Sequence, residues 1–259
     1  MYQFPANGPI AASVRIPGGT CAVRTGDGHG VSVEVAPATA WRSGDRKAAE
    51  STAVYYADGV LSVLTGERGG WLKGRVRVDV ALPAGSVLEF ASDSADLEVH
   101  GRLASLAVDT GSGGVEAEHV TGDVRLDVSS SDSQLGTVGG FLEFAARSGG
   151  LRVDHAAGTV SARSSSGDLR LGTTGGDVRL ETSSGDVRIA AVHGGAVYAT
   201  TSSGDVSVGV DKGLGVQSSL QTNSGDQRGD LAQGAPSDGG PDVVLKITTT
   251  SGDITVRRA

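Results

Sequence analysis

Through its middle the chain repeats every 18 residues, and that period restricts the fold more than any other feature. Gly122, Gly140, Gly158, Gly176 and Gly194 stand 18 apart. Half a period away fall Gly114, Asp132, Gly150, Asp168 and Asp186. Each unit is therefore two arms of nine residues with a turn after each.

The apolar residues keep the same phase. Steps of 18 from Leu97 reach Val115, Ser133, Leu151, Leu169 and Val187, and from Val99 they reach Ala117, Leu135, Val153, Leu171 and Ile189. On the other arm, Leu88 leads to Leu106, Val124, Leu142, Val160 and Val178, and Phe90 to Val108, Leu126, Phe144, Ala162 and Leu180. Ser133 alone is polar in these four columns. One residue is inserted at Gly194-Gly195, and the pattern resumes at Val197, Ala199, Val206 and Val208. Within an arm the apolar residues sit at i and i+2, the strand period, with alternate side chains pointing inward. Strand, Gly turn, strand, Gly turn at 18 residues a coil predicts an all-β, parallel β-helix-like solenoid with two strands per coil. Successive coils stack ~4.8 Å apart. No coil buries its own face, so stability comes from neighbours.

Three regions are expected: a β cap at 1–85, the repeat solenoid at 86–210, and irregular coils with closing strands at 211–259. Residues before 86 lack the 18-residue register but keep strand alternation at Ile10–Ile16, Val31–Val35 and Val76–Leu82. TAVYY and VLSVL flank Ala57-Asp58-Gly59, a hairpin signal. Asp45–Glu50 is the one plausible helical turn. This region reads as an antiparallel β cap over the first coil, because an open solenoid end exposes unpaired strand edges. At the other end, 229–242 reads as a mobile loop, and the strands at Val243–Ile247 and Ile254–Val256 as the seal. Arg257 and Arg258 would place charge on that edge.

Composition removes whole classes of function. A single cysteine, Cys21, excludes a disulfide framework and redox pairing. A net charge of −8 disfavours nucleic acid as partner. No apolar run approaches the ~18 residues of a membrane helix. The opening MYQFPANGPIAAS has neither a basic nor an apolar leader segment, so a cytoplasmic location is expected, with export by another route left open.

The S-G-D-V-x-V turns, the alternating N-terminal region ending in LPAGS, and the closing TTSGDITVRR resemble the bacterial putative-adhesin β-strand-repeat family, a grouping of unknown function common in actinobacteria. The resemblance implies a β-solenoid-like fold and no established enzymatic activity. It offers no catalytic motif to place on this chain.

Several side-chain sets invite a functional reading. Arg152, Arg170 and Arg188 share one column and form a candidate ladder for an anionic polymer, since guanidinium forks match phosphate and carboxylate. Asp168 and Asp186 lie close enough to pair with it. The Ser-Gly-Asp turns invite a calcium reading, but the order of calcium-binding nonapeptides is absent, and turn aspartates also cap backbone N–H groups. His119 and His155 share a column two coils apart, too far for one zinc ion, while His29, His100 and His193 are scattered. The carboxylates Asp123, Asp127, Asp154, Asp177 and Glu181 are numerous enough for an acid–base pair, but no insertion builds a cleft for them. The expectation is a non-catalytic binding or adhesin-like scaffold without cofactor or metal, its partner an unknown protein or anionic polymer. The alternatives are a carbohydrate-active enzyme and a calcium-stabilised repeat protein.

Overall fold

The structure, a computed structural model, describes residues 1–28, 30–66, 74–229 and 242–259. His29, Trp71 and positions 230–241 of the expected mobile loop lie outside the described residues. The chain forms two compact units, Met1–Gln134 and Leu135–Ala259.

The first unit contains β1 (Tyr2–Phe4), β2 (Ala11–Gly26), β3 (Val31–Pro37), α1 (Ser43–Glu50), β4 (Thr52–Ala57), β5 (Val60–Thr65), β6 (Val76–Pro83), β7 (Ser86–Thr110), β8 (Val115–Val120) and β9 (Val124–Val128). Long β2 runs through a whole coil. One side pairs in parallel with β7, from Ala11↔Val87 to Arg24↔His100. The other side pairs in parallel with β5 over Ala11–Arg15 and with β6 over Gly19–Gly26. Among the described residues of this unit, antiparallel pairing is confined to β4 on β5, β3 on β6 and β1 on β3. The N-terminal region therefore has antiparallel edge strands at β1, β3 and β4, and two parallel coils, one of β5 with β6 and one of β2, between them and β7. The hairpin falls at Asp58 and Gly59, whose φ values of 51° and 75° fit a primed turn.

Helix α1 begins at Ser43, two residues before the expected turn, and is clamped to its sheet. Asp45 and Ala48 are buried. The Arg75 N–H donates to Asp45 Oδ1 at 2.9 Å, and the Ser51 and Thr52 hydroxyls both donate to the Ala48 carbonyl at 2.9 Å. A Cβ at Gly74 would stand under 3.0 Å from Ala48 Cβ and the Gly44 carbonyl, so the helix rests directly on backbone. Cys21 is buried, and desolvation, with Asp79 adding to it, pushes its thiol pKa up to about 12. Such a thiol stays unreactive while the unit is folded.

The strand β10 (Ser133–Val138) lies across the division between units. The second unit continues with β11 (Leu142–Ala146), β12 (Leu151–Ala156), β13 (Val160–Ser166), β14 (Leu169–Thr174), β15 (Val178–Ser184), β16 (Val187–Val192), β17 (Gly195–Ser203), β18 (Val206–Val210), β19 (Val216–Ser224), β20 (Gln227–Gly229), β21 (Val243–Ser251) and β22 (Ile254–Arg258). From β11 to β18 the strands pair in parallel, each with the one two places on in the chain. Leu142, Val160, Val178 and Val197 align in one column, and Leu151, Leu169, Val187 and Val206 in another. All eight are buried.

The closing strands do not seal the end. β21 pairs with β17 on one side and β19 on the other, and β22 lies likewise between β18 and β20. The coil at 243–258 thus occupies an interior place, and the earlier coil at 216–229 lies outside it. The side chains explain the order. Leu245, Ile254 and Val256 sit opposite Ser218, Gln227 and Gly229 of the outer coil, so the coil with complete apolar columns takes the place with two neighbours. A polar outer face is what a terminal repeat needs. Arg258 is accordingly not an edge charge; its Nη1 donates to the Asp211 and Leu214 carbonyls at 2.9 and 3.0 Å.

Candidate functional site

The repeated turn is the densest polar chemistry in the second unit, and the structure shows what it does. Asp168 Oδ1 accepts the Asp186 N–H at 2.9 Å, and Asp186 Oδ1 accepts the Asp205 N–H at 2.9 Å. The series continues from Asp253 N–H to Asp205 at 2.8 Å and from Asp226 N–H to Asp253 at 2.9 Å. In return, the residue after each aspartate donates to the next coil's aspartate carbonyl: Leu169 to Asp186, Val187 to Asp205, Val206 to Asp253 and Ile254 to Asp226. Inside the turn, Thr182, Thr201, Thr249 and Thr222 donate their hydroxyls to the Gly167, Gly185, Gly204 and Gly252 carbonyls at 3.1 to 3.3 Å. Thr-x-Ser-Gly-Asp is therefore a coil-to-coil staple, each bond worth about 1 kcal/mol. The opposite turns use the same device less regularly, with Asp177 Oδ1 accepting the Ala196 N–H at 2.9 Å. Among the described residues, no three His, Cys, Asp or Glu side chains are grouped to hold one metal ion.

The three candidate arginines come together as the register requires. Arg152 pairs with Arg170, and Arg170 with Arg188, on adjacent parallel strands, and the row ends where Ser207 stands opposite Arg188. All three point outward and are exposed. Their acids lie along the strand rather than across it: Arg152 Nε is 3.3 Å from Asp154 Oδ1, and Arg170 Nη2 is 2.6 Å from Asp168 Oδ2. Asp168 thus staples a coil with one oxygen and orients Arg170 with the other.

The histidines are not brought into one site. His155 Nδ1 meets the Thr173 hydroxyl, and His193 Nδ1 pairs with Asp211. His100 Nδ1 lies 3.1 Å from Glu118, whose other oxygen accepts the Gly101 N–H at 2.7 Å. That backbone bond, and then the His100 bond, hold the Glu118 carboxyl below its usual range. Among the other carboxylates, Glu181 pairs with Arg179 at 2.6 Å. A site that sequence reasoning missed lies on the outward face of the first unit. There Ala91 and Ala107 floor a groove of about 320 Å³ edged by Arg15, Glu89, Asp109, Arg125 and Asp127. Its one sequence signal is two small residues at outward positions amid charged ones.

A stack of parallel two-strand coils, stapled by Gly-Asp turns and bearing charge on its outward rows, defines a β-solenoid-like repeat protein. Residues 32–257 match the family described as Toastrack DUF4097, and the chain belongs to that family. No curated protein matches it in sequence. Similar solved structures include a putative lipid binding protein from Parabacteroides distasonis, 11% identical over 100% of this chain and 95% of that one, with a TM-score of 0.46. A putative adhesin from Parabacteroides merdae is 12% identical over 100% and 95%, with a TM-score of 0.41. A putative cell adhesion protein from Clostridium sporogenes is 11% identical over 100% and 98%, with a TM-score of 0.22. At these TM-scores the three lend no support to any particular ligand. Among the described residues, no helix is long and apolar enough to cross a membrane.

Proposed function

We propose that the chain is a non-catalytic binding scaffold that holds an anionic polymer along Arg152, Arg170 and Arg188. The carrying observation is the register of this row on the adjacent parallel strands β12, β14 and β16, outward and exposed. The coils fix the guanidinium stems ~4.8 Å apart, a spacing that suits repeated phosphates or carboxylates better than a single ion. The Arg152–Asp154 and Arg170–Asp168 pairs do not oppose this. Exposed pairs are worth only ~0–1 kcal/mol, so a polymer's charges can displace them. The turn aspartates support the same reading, because their chemistry is taken up in stapling coils.

The test is a fluorescence titration with labelled polyphosphate, heparin and extracted cell-wall polymers at several salt concentrations. The expected result is saturable, salt-sensitive binding to at least one of them. The Arg152→Ser/Arg170→Ser/Arg188→Ser variant should then lose most of the affinity and most of the salt slope, roughly one counterion per arginine removed. No saturable binding across the panel, or binding unchanged in the triple variant, would overturn the proposal.

A further inference from the structure

Helix α1 in the first unit carries a second outward feature, independent of the arginine row. Its buried face is pinned by Asp45 and Ala48, so the opposite face is held outward. That outward side bears Arg46 and Lys47, and the preceding residues are Arg42 and Trp41. Trp41 is 84% exposed, and the three cations are exposed as well. Arg42 is the cap residue just before the helix, with extended backbone, and Arg46 follows one turn on. None of the three forms a salt bridge with a described residue. Glu50, at the far end of the helix, is the one exposed acid among the residues of α1 itself.

An uncovered indole beside three cations, in a chain of net charge −8, calls for a partner that is both apolar and anionic. We infer that this patch docks the protein on an anionic lipid surface. The indole enters the headgroup layer, where one apolar face and one N–H are both satisfied. Arg42, Arg46 and Lys47 lie against anionic headgroups, each adding surface attraction that salt screens. A soluble polyanion matches the cations but leaves Trp41 without a role, so Trp41 discriminates between the two. The attachment is peripheral, since α1 spans only eight residues.

The experiment is co-sedimentation of the full chain with vesicles of phosphatidylglycerol and phosphatidylcholine, against phosphatidylcholine alone. Tryptophan emission is followed in parallel in a Trp71→Phe background, so that the signal reports Trp41. The expected result is pelleting with the anionic vesicles only, a blue shift of emission, and loss of both at high salt. Arg42→Ser/Arg46→Ser/Lys47→Ser should weaken partitioning roughly a hundredfold. Trp41→Ala should reduce binding while the protein stays folded, which protection of Cys21 from a thiol reagent verifies. The inference is overturned if anionic vesicles do not pellet the protein, or if Trp41→Ala pellets like the parent. It is equally overturned if polyphosphate binds through the three cations while vesicles do not. Because the arginine row is intact in every variant, failure here leaves the polymer reading standing, and the reverse also holds.

Discussion

Leu169→Asp should unfold the second unit, or cost it roughly 4 kcal/mol or more, whereas Arg170→Ala beside it should change stability by no more than about 1 kcal/mol. The two residues are neighbours on β14 and face opposite ways. Leu169 is fully buried between Leu151 and Val187, where a carboxylate would find neither water nor a cation. The side chain of Arg170 is 55% exposed and forms its ion pair with Asp168. Urea denaturation of the two variants checks this, and equal losses would mean that the strand faces are assigned the wrong way round.

The second large effect is expected at Gly204, from backbone rather than side chain. Its φ is 153°, in a region that residues with a Cβ rarely adopt. A Cβ there would also stand well under 3.0 Å from the Gly185 carbonyl oxygen, the same oxygen that accepts the Thr201 hydroxyl. Neither partner can move away, because Gly204 and Gly185 belong to consecutive staples. Gly204→Ala should therefore cost roughly 2–5 kcal/mol, combining backbone strain with overpacking. Gly229 has nothing within 4 Å of a built Cβ, so Gly229→Ala should be nearly silent. Thermal melts of the two variants separate a required close approach from the general cost of replacing glycine.

Much of this fold was legible because stacking repeats the same physical demand at a fixed interval. Each inward position must be apolar and each tight turn must admit Gly, so Leu151, Leu169 and Val187 reveal their contact by spacing alone. The inserted residue at Gly194-Gly195 was equally visible, and the structure pairs Val178 with Val197 and staples Asp186 to Asp205, each 19 apart. The order of the last coils was not read, although a signal exists. Ser218, Gln227 and Gly229 occupy core columns, and a coil with polar core positions belongs at an end. Periodicity names the columns but assumes that chain order is stacking order, and here it is not. The same assumption hid the parallel coils formed by β2, β5 and β6. As for the site, the arginine row followed from the repeat, because identical register gives identical facing. Trp41 and the groove at Ala91 and Ala107 were not read, because exposure depends on what the rest of the chain leaves uncovered.

Hydrogen exchange of the backbone amides, resolved to single strands, tests most directly the claim that the turn motif staples the coils in the order 168, 186, 205, 253, 226. Interior strands exchange only on extensive unfolding, while an outer coil exchanges by local opening. The account predicts that β21 and β22, the last strands in the chain, are protected as strongly as β17 and β18, and that β19 and β20 exchange much faster. Strong protection of β19 and β20 with rapid exchange in β21 and β22 would contradict it, and would return the final strands to the outer edge.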